Sequence, residues 1–381
     1  MHLKVGFCID SFQVGGTELN AVRTAEALVG TGIQLHVYHL HDDGPLRHRY
    51  EQLGLEMTHL PIRNLYSPRT AFLGAKFARS IVRKRLDLVH THDLYTNIFL
   101  APWAKVGARR RVLASRRWLY EAPRPGLVRL NRLSYHFSDR VLANSSSVAR
   151  LLEREEGIAV DKIVEIPNFL SDRAFHVNSP ELRQAKHSEW GLPGSAIVIG
   201  TVARLAKVKN HELALRALKT LAENVHLVLV GDGAMRQPLT QLANALGIAN
   251  RVHFIGQVLS EDNIHQYFDI DLLCSTSEGF PNTLVEALAV ARPVVASSVG
   301  GVPDVIKNDR NGLLFRSGDI AGLTAALSEL VARPELRLRL GLAGLASVRN
   351  RFEQEVVISR LVEVYSDLAG VPISSRVATH D

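Results

Sequence analysis

The sequence predicts an α/β protein built from two successive domains, each a parallel β-sheet covered by helices. Three observations lead to this prediction. The chain has 381 residues, enough for two domains of about 150–190 residues each. Short β-branched segments alternate with helical patterns, and these segments are continuously apolar, as are strands buried on both faces of a sheet. The alternation occurs twice, which indicates two Rossmann-like domains.

The first half of the sequence contains segments with the apolar, β-branched pattern of strands. They lie at 3–9, 34–40, 55–60, 87–91, 111–115, 140–144 and 163–167. Helical patterns separate them, and clear examples lie at 17–29, 70–85 and 145–155. Strands that alternate with helices in this way form parallel sheets, so the first half predicts one Rossmann-like domain.

The second half of the sequence repeats this pattern. Its strand segments lie at 196–203, 226–231, 251–256, 270–274, 293–297 and 312–315. The stretch between Asn168 and Gly194 is polar and irregular, and we expect the two domains to join there. We therefore assign 1–172 to the first domain and 173–352 to the second. A last helix, within about 353–381, is expected to pack back on the first domain.

Composition excludes several classes of protein. Hydrophobic residues make up 46% of the chain and charged residues 22%, which excludes a wholly disordered or fibrous protein. The most apolar stretch, 284–296, is interrupted by two charged residues and does not predict a membrane span. The N-terminus reaches Asp10 before any long apolar region, unlike a signal peptide. Cys8 and Cys274 lie in apolar segments without a disulfide pattern, so we expect a cytoplasmic protein.

The charge is concentrated in the first half. Residues 1–185 carry 26 basic and 18 acidic side chains, whereas 186–381 carry 19 and 20. The window 103–140 alone holds 10 basic and 2 acidic residues, interleaved with Trp103 and Trp118. Such a mixture suits an anionic membrane surface, at about 1 kcal/mol per basic residue. A solvated basic face is the alternative. No nucleic-acid partner is expected, because the window contains no known reading motif.

Ligands of open parallel sheets bind beyond the carboxyl ends of the strands, so the loops there are the candidate sites. In the first half, Gly15 and Gly16 precede a helix whose N-terminal N–H groups suit an anion, although taken alone this signal is weak and a tight turn is the favoured explanation. His90, His92 and Asp93 close the fourth strand. A metal site is the weaker interpretation of these three; histidines at a strand end, with His92 lining a cleft, are favoured.

Two cations follow the first strand of the second half. Arg204 and Lys209 lie on a strand-to-helix loop, where a diphosphate would rest. The planar guanidinium and the ammonium together suit the charge that a departing nucleoside diphosphate accumulates. Two ordinary surface cations are the alternative interpretation.

The loop and helix at 277–288 carry the strongest signal. Asn282 or Thr283 is expected to cap the helix, and the N–H groups of Thr283 and Leu284 to face a phosphate. Glu286 on the helix suits the two hydroxyls of a ribose, and Glu278 on the loop can reach a hexose. The helix dipole alone favours acidic residues near a helix N-terminus, but it does not explain the Gly-Phe-Pro between the two glutamates. A functional loop is therefore favoured.

Two further motifs resemble sites but are not interpreted as metal sites. Asp269 and Asp271 form the Asp-x-Asp pattern that holds a divalent cation in many nucleotide-sugar enzymes. Here the pattern comes at the start of a strand, on the edge of the sheet away from the ligand. The Gly-Asp-Gly at 231–233 follows a strand and predicts a turn near the ligand.

These motifs together resemble the retaining nucleotide-sugar glycosyltransferases of group 1 (family 4). The motifs that carry the resemblance are Gly15–Glu18, His90–His92, Ile166–Asn168, Arg204 with Lys209, Gly231–Gly233, Phe254–Gly256 and Glu278 through Glu286. The last, two glutamates separated by seven residues, is the most specific. The resemblance implies the GT-B fold, in which two Rossmann-like domains face each other across a cleft.

The resemblance also implies roles for individual residues. Arg204 and Lys209 would hold the donor diphosphate, and Glu278 would contact the transferred sugar; these are the predicted catalytic residues. The predicted donor-binding residues are Gly16, Val258, Gly279, Phe280, Pro281, Asn282, Thr283, Leu284 and Glu286. Glu286 would bind the ribose and Val258 would lie at the base. No metal or cofactor is expected, because protein cations and a helix dipole replace the metal, and a UDP-sugar is the expected co-substrate.

The chain departs from the family pattern after the fifth strand. Many relatives carry a histidine there, whereas this chain has Arg116 and Arg117. Together with His92, these arginines are candidate acceptor or cleft residues, and they suggest an anionic acceptor or an altered donor geometry.

The resemblance implies a retaining, front-face transfer to a lipid-linked or polysaccharide acceptor in cell-envelope glycan synthesis, including lipopolysaccharide. The enzyme would then work at the inner face of the membrane, in contact with it through the 103–140 window. Two alternatives remain open. A GT-B nucleotide-sugar 2-epimerase would use Asp93 and Glu121 as acid and base. A catalytically silent nucleotide-sugar-binding protein would not need the intact Glu278 and Glu286.

Overall fold

A computed structural model describes residues 2–62, 67–119, 125–258 and 263–372. The chain divides into two compact units, Met1–Phe169 with Gln354–Asp381, and Leu170–Glu353. Each unit contains one parallel sheet with helices between successive strands. This confirms the predicted class of two Rossmann-like α/β domains. Within the described ranges, no helix is long and apolar enough to cross a membrane.

The first unit is built on a seven-stranded sheet with the order β3-β2-β1-β4-β5-β6-β7. Its strands are β1 Leu3–Ile9, β2 Ile33–His39, β3 Glu56–His59, β4 Leu88–Thr91, β5 Arg111–Arg116, β6 Arg140–Ala143 and β7 Ile163–Glu165. Its helices before the second unit are α1 Gly16–Leu28, α2 Arg47–Gln52, α3 Pro68–Lys84, α4 Leu94–Pro102, α5 Pro125–Ser134 and α6 Ser146–Arg154. A π-helical turn, Trp103–Gly107, continues from α4. The strand order reverses direction at β1 and β4, so the carboxyl ends of these two strands mark the switch point where such sheets bind ligands.

The second unit is built on a six-stranded sheet with the order β10-β9-β8-β11-β12-β13. Its strands are β8 Ile197–Val202, β9 Val225–Val230, β10 Val252–Gly256, β11 Ile270–Leu273, β12 Val294–Ser297 and β13 Leu313–Phe315. Its helices are α7 Pro180–Glu189, α8 His211–Leu218, α9 Arg236–Ala245, α10 Asn282–Ala289, α11 Val302–Val305, α12 Ile320–Ala332 and α13 Pro334–Val348. The switch point here lies between β8 and β11, directly before the loops that carry Arg204 and Glu278.

The last helix, α14 Gln354–Ala369, belongs to the first unit although it follows the second in sequence. Its buried apolar side chains join the core formed by β1, β2 and α1. The Tyr365 hydroxyl shares a 2.6 Å hydrogen bond with Nδ1 of the buried His90 in β4. Helix α14 therefore completes the core of the first unit.

Candidate functional site

The backbone that carries Arg204 is fixed by a glycine turn. Gly231 and Gly233 have φ values of 134° and 155°, and a Cβ on either would overlap the carbonyl of Ala203 or of Leu205. Burial lowers the pKa of His211 to about 4, so its imidazole is neutral at pH 7. Its Nε2 lies 3.4 Å from the carbonyl oxygen of Arg204. These contacts hold the main chain while the Arg204 side chain is exposed beyond β8.

Lys209 and Glu278 are brought together at the same edge of the sheet. The Lys209 Nζ lies 2.6 Å from Oε1 of Glu278, and the Ser275 hydroxyl donates to that oxygen at 2.5 Å. The Glu278 residue is only 8% exposed. The N–H of Thr276 also donates to the carbonyl of Val208 at 2.8 Å, which ties the two loops to each other. The predicted diphosphate-binding lysine is thus ion-paired with the predicted sugar-binding glutamate.

The loop after Glu278 reaches α10 differently from the prediction. Pro281, not Asn282 or Thr283, occupies the N-cap position, and no side chain caps the helix. The N–H of Leu284 donates to the Pro281 carbonyl at 3.0 Å, so the first turn is tightened. The expected cap was therefore wrong, because the helix already begins at Asn282 and Pro281, which has no side-chain acceptor, takes the N-cap position with a ψ of 72°. The N–H of Leu284 has an internal partner instead of facing outward.

The segment between Glu278 and α10 has an apolar anchor. The Phe280 side chain is buried and packs edge-on against the Phe352 ring, with 5.6 Å between centroids. The N–H of Gly301 donates to the carbonyl of Glu278 at 2.9 Å. Because the Phe280 ring is inside the core, only the backbone at Gly279, Phe280 and Pro281 is suited to meet a ligand.

Glu286 has a neighbour that the sequence analysis missed. The buried His265 places its Nε2 3.8 Å from Oε2 of Glu286, and its Nδ1 2.5 Å from Oδ1 of Asp271. In the sequence, Asp271 stands out only as half of an Asp-x-Asp motif. The other half, Asp269, accepts from the N–H of Val198 at 2.9 Å and does not join this cluster. No local pattern marks the relation between His265 and Glu286, because three separate elements create it.

Val258, predicted to lie at the base, follows β10. It packs at the edge of an apolar cluster that includes Trp190, Tyr267 and Phe268. Two of these rings, Trp190 and Tyr267, meet edge-on with 5.8 Å between centroids. Trp190 and Tyr267 are themselves buried, so the half-buried Val258 is the part of this cluster that a base could contact.

In the first unit, the carboxyl ends of β4 and β5 bring His92 and Arg117 to one edge of the sheet. His92 is buried between the His90 and Phe7 rings, at centroid distances of 3.8 and 4.0 Å. Within the described part of the chain, neither of its ring nitrogens has a hydrogen-bond partner. Burial, the neighbouring His90 and Arg117 together hold the pKa of His92 well below its usual range. His92 is therefore neutral at pH 7.

Arg117 remains a cation in this environment. Burial lowers the pKa of its guanidinium to about 10, which still leaves it charged at pH 7. Its Nη1 donates to the side-chain oxygen of Asn168 at 2.6 Å. The neighbouring Asp93 caps α4 and accepts from the N–H of Leu94 at 2.7 Å and from Nε1 of Trp118 at 3.3 Å. Burial raises the pKa of Asp93 above its usual range.

Arg116 does not have the open position that was expected of an acceptor residue. Its side chain is 1% exposed and lies 3.0 Å from the Glu156 carboxylate. It also donates to the carbonyls of Trp118 and Leu119, and its guanidinium stacks on the Trp118 ring at 3.4 Å. The physical reason is that the buried Glu156 needs a cation, and Arg116 at the end of β5 supplies it.

Gly16 begins α1, and Gly15 precedes it as the N-cap. The Glu18 carboxylate folds back over Gly15, so that a Cβ on Gly15 would overlap it. The end of β1 adds Asp10, whose carboxylate accepts from the N–H groups of Tyr95 and Thr96 at 3.2 and 2.8 Å. Glu18 and Asp10 join Asp93 in an acidic group that the sequence analysis did not identify, although Asp10 directly follows a strand.

The 103–140 window is not one solvent-facing surface. Lys105 and Arg111 both pair with Asp139, at 2.6 and 2.8 Å. The Trp103 indole packs over Gly74 of α3, where a Cβ would overlap it. Arg116 is buried as described, and Tyr120, Glu121 and Arg124 lie outside the described residues. Internal pairing of these groups weakens the prediction that this window contacts a membrane.

Comparison with known proteins agrees with this architecture. Residues 14–173 match the family model described as Glycosyltransferase Family 4, and residues 183–345 match that described as Glycosyl transferases group 1. The N-acetyl-alpha-D-glucosaminyl L-malate synthase of Bacillus anthracis is 27% identical to this chain, over 97% of the chain and 98% of that protein. The lipopolysaccharide core biosynthesis glycosyltransferase LpsD of Rhizobium meliloti is 31% identical over 45% of the chain and 50% of that protein.

Solved structures show the same fold. HepE from Anabaena in complex with UDP superposes with a TM-score of 0.85 at 22% identity, covering 96% of this chain and all of that one. The HepE complex with UDP-glucose gives a TM-score of 0.83 over the same shares. The fold and the two family matches, one for each unit, lead to one conclusion: the chain belongs to the group 1, family 4 glycosyltransferases and has their GT-B fold of two Rossmann-like domains.

Proposed function

We propose that the protein is a retaining, metal-independent glycosyltransferase of the hexosyl type. It would transfer a sugar from a UDP-sugar to a lipid-linked or polysaccharide acceptor in cell-envelope glycan synthesis. The observation that carries the proposal is the Lys209–Glu278 ion pair directly before α10, with Glu286 on that helix. This arrangement supports the donor roles that the family resemblance implies for these residues.

The donor diphosphate would meet three positive groups. Arg204 offers an exposed guanidinium, Lys209 an ammonium, and α10 the positive end of its dipole near Thr283. Together they would supply the charge that a divalent cation supplies elsewhere, which is why we propose that no metal is needed. Glu286 would accept the ribose hydroxyls.

The base and the transferred sugar would lie on either side of the diphosphate. Val258, at the edge of a buried aromatic cluster, would contact the base, and the HepE complexes with UDP and UDP-glucose favour uracil. Glu278, with the backbone of Gly279, would contact the transferred sugar. Gly16 remains a predicted donor-binding residue.

Transfer would proceed by a front-face displacement. The bond between the anomeric carbon and the phosphate oxygen breaks with its electron pair leaving on the diphosphate. The acceptor oxygen forms its bond on the same face, and its proton passes to the departing phosphate oxygen. Arg204 and Lys209 would stabilise the developing charge, an effect typically worth about 3–4 kcal/mol for one such donor.

The acceptor would bind at the first unit. The Arg117 cation and the neutral His92 lie at the carboxyl edge of the sheet, and their chemistry suits an anionic group on the acceptor. Relatives named for L-malate and for the lipopolysaccharide core are compatible with such acceptors. Arg116 is left out of this assignment because Glu156 holds it.

The alternative functions have less support. A 2-epimerase would need an acid and a base in the first unit, but Asp93 is engaged in capping α4 and in a hydrogen bond to Trp118. Its suggested partner, Glu121, lies outside the described residues. A silent binding protein would not require the Lys209–Glu278 pair together with Glu286.

We also propose that the protein associates peripherally with an anionic membrane, through α3 instead of the 103–140 window. The residues of α3 at positions 69, 72, 76, 79 and 83 follow helical spacing and are exposed. They are Arg69, Phe72, Lys76, Arg79 and Arg83. Phe72 is 67% exposed, and Val82 beside this row is 51% exposed.

The charged residues on the exposed face of α3 are all basic. The sequence has no acidic residue between Glu56 and Asp87, whereas it has basic residues throughout α3. Lys84 at the end of α3 pairs with Glu56, but among the described residues no ion pair engages the basic residues of the exposed row. A helix with exposed cations and large apolar side chains on one face is the kind that lies on an anionic lipid surface.

The transferase proposal is tested without knowing the acceptor, because water can replace it. The protein is incubated with UDP-glucose, UDP-galactose or UDP-N-acetylglucosamine, with and without EDTA, and release of UDP is measured. Proton NMR identifies the anomer first released. We expect slow hydrolysis of one donor, unaffected by EDTA, with the α-anomer released from the α-linked donor. Release of the β-anomer would contradict retention, and loss of activity in EDTA would contradict metal independence.

A thermal-shift panel with UDP, GDP, ADP and dTDP tests the nucleotide assignment. We expect UDP to raise the melting temperature, and Glu286→Ala to abolish that shift. Glu329→Ala is the matched control, because Glu329 lies on α12 in a surface pair with Arg333. A shift with GDP alone would contradict the assignment of UDP, and an unchanged shift in Glu286→Ala would contradict the ribose role.

A further inference from the structure

His265 lies in a short turn before β11 and is surrounded by side chains of α10 and β11. It is 1% exposed. Its Nδ1 is 2.5 Å from Oδ1 of the buried Asp271, and its Nε2 is 3.8 Å from Oε2 of Glu286. The same Nε2 is 3.4 Å from the Thr283 hydroxyl. One buried imidazole therefore connects a core carboxylate with two polar side chains of α10.

The imidazole in this position carries a proton. Burial by itself opposes the charge, but Asp271 and Glu286 on its two sides outweigh burial and raise the pKa of His265 to about 9. At pH 7 both ring nitrogens are then donors. Nδ1 points to Asp271, so the proton on Nε2 is directed toward Glu286 and Thr283.

The protonated imidazole restrains the carboxylate of Glu286. Its side chain is 24% exposed, whereas His265 beneath it is buried. The amide of Asn263 donates to the Glu286 carbonyl and to that of Ala174, each at 2.8 Å, so the main chain there is also held. A carboxylate restrained on its buried side loses less conformational freedom when it binds a pair of hydroxyls.

We propose that His265 is a positioning residue for donor binding, which holds the Glu286 carboxylate in the orientation that accepts the ribose hydroxyls, with Asp271 fixing the imidazole. The proposal rests on the proposed function, since it assumes that Glu286 binds a ribose. It differs from a purely structural ion pair of His265 and Asp271, which would stabilise the fold without affecting recognition of the ribose.

The test compares UDP with 2′,3′-dideoxy-UDP, which lacks both hydroxyls. Dissociation constants for both are measured by calorimetry on the wild-type protein, Glu286→Gln and His265→Gln. We expect the wild type to prefer UDP by about tenfold or more, as for hydroxyls bound by a charged carboxylate. His265→Gln should reduce this preference nearly as far as Glu286→Gln does, with little change in the affinity for the dideoxy compound. The double variant Glu286→Gln/His265→Gln should prefer UDP over the dideoxy compound as much as Glu286→Gln alone does, because the two side chains act as one unit.

Matched variants keep the outcomes separate. His226→Gln removes another buried histidine of the second unit, one whose Nδ1 meets His253 at 3.0 Å, and should retain the wild-type preference. Asp271→Asn preserves side-chain volume and should reduce the preference even if His265→Gln does not fold. If His265→Gln and Asp271→Asn keep the wild-type preference, the positioning role is wrong while the proposed function stands. If the wild type does not bind UDP, both are wrong.

Discussion

Lys209 and Glu278, which are 69 residues apart in the sequence, meet with 2.6 Å between Nζ and Oε1. The carboxylate also accepts from Ser275, so both donors act on one oxygen of a nearly buried group. The pair has no net charge, and Arg204 is the neighbouring cation with an exposed side chain. We therefore expect the two cations to differ in their effect on stability, although both are proposed to serve the same reaction.

Replacing either cation should slow catalysis. We expect Arg204→Met and Lys209→Met each to lower kcat for donor hydrolysis by about 10²–10³-fold, as when one transition-state donor is removed. Only Lys209→Met should also destabilise the protein, by about 1–3 kcal/mol, because it leaves the Glu278 carboxylate with fewer partners. Kinetics and urea unfolding of both variants check this. Equal stability of the two variants, or unchanged turnover in both, would contradict the assignment.

Arg116 should matter for stability. Breaking its buried pair with Glu156 by Arg116→Met is expected to cost about 3–5 kcal/mol in the free energy of unfolding. The double variant Arg116→Met/Glu156→Met should recover much of that loss, because no buried charge remains. Arg111→Met is the control: Arg111 is 60% exposed in its pair with Asp139, so the loss should stay below about 1 kcal/mol. If Arg116→Met also lowers the free energy of unfolding by less than about 1 kcal/mol, the Arg116–Glu156 pair contributes little to stability.

Vesicle binding should depend on α3. The protein is expected to cosediment with vesicles that contain one-third phosphatidylglycerol and much less with phosphatidylcholine alone. Lys76→Glu/Arg79→Glu should weaken this binding at least about tenfold, given about 1 kcal/mol per basic residue. Arg216→Glu/Lys219→Glu makes the same charge change at exposed positions near the end of α8 and should bind almost normally. Equal losses in both double variants would indicate a general charge effect instead of an α3 surface.

Stability should depend on pH through His265. Its pKa is raised from 6.5 to about 9 in the folded state, so its contribution is complete below pH 6.5 and is lost as the pH rises through 9. The charged neighbours are Asp271 and Glu286, with Arg292 acting on Asp271. The difference in free energy of unfolding between wild type and His265→Gln should fall by about 2–3 kcal/mol between pH 6.5 and 10. Urea unfolding across this range measures it, and a constant difference would show that the imidazole is not charged.

The fold could be predicted from sequence because its signal is local. Each predicted strand segment overlaps an observed strand, since strands buried on both faces must be apolar throughout. The helices at 17–29, 70–85 and 145–155 were confirmed within two residues, because the spacing of apolar residues along a helix is also a local pattern. The loops predicted to form the site do follow β1, β4, β8 and β11, whose carboxyl ends are where ligands of parallel sheets bind.

The details that were missed depend on contacts between distant segments. Arg116 and Arg117 are adjacent in sequence, yet one lies against Glu156 and the other reaches Asn168. The cap of α10 depended on the ψ of one proline, which composition does not reveal. His265 was missed because its partners come from β11 and α10, and no spacing within the sequence relates them.

The first unit is assembled from two segments of the chain, one before and one after the second unit. Residues 354–369 supply α14, and Tyr365 bonds to His90, which was synthesised 275 residues earlier. A ribosome will therefore have made the whole second unit before the core of the first can close. A message that stops short of α14 yields a first unit with an open apolar face, a target for proteases and chaperones. Closure of the first unit's core thus depends on synthesis of residues 354–369, which follow the whole second unit.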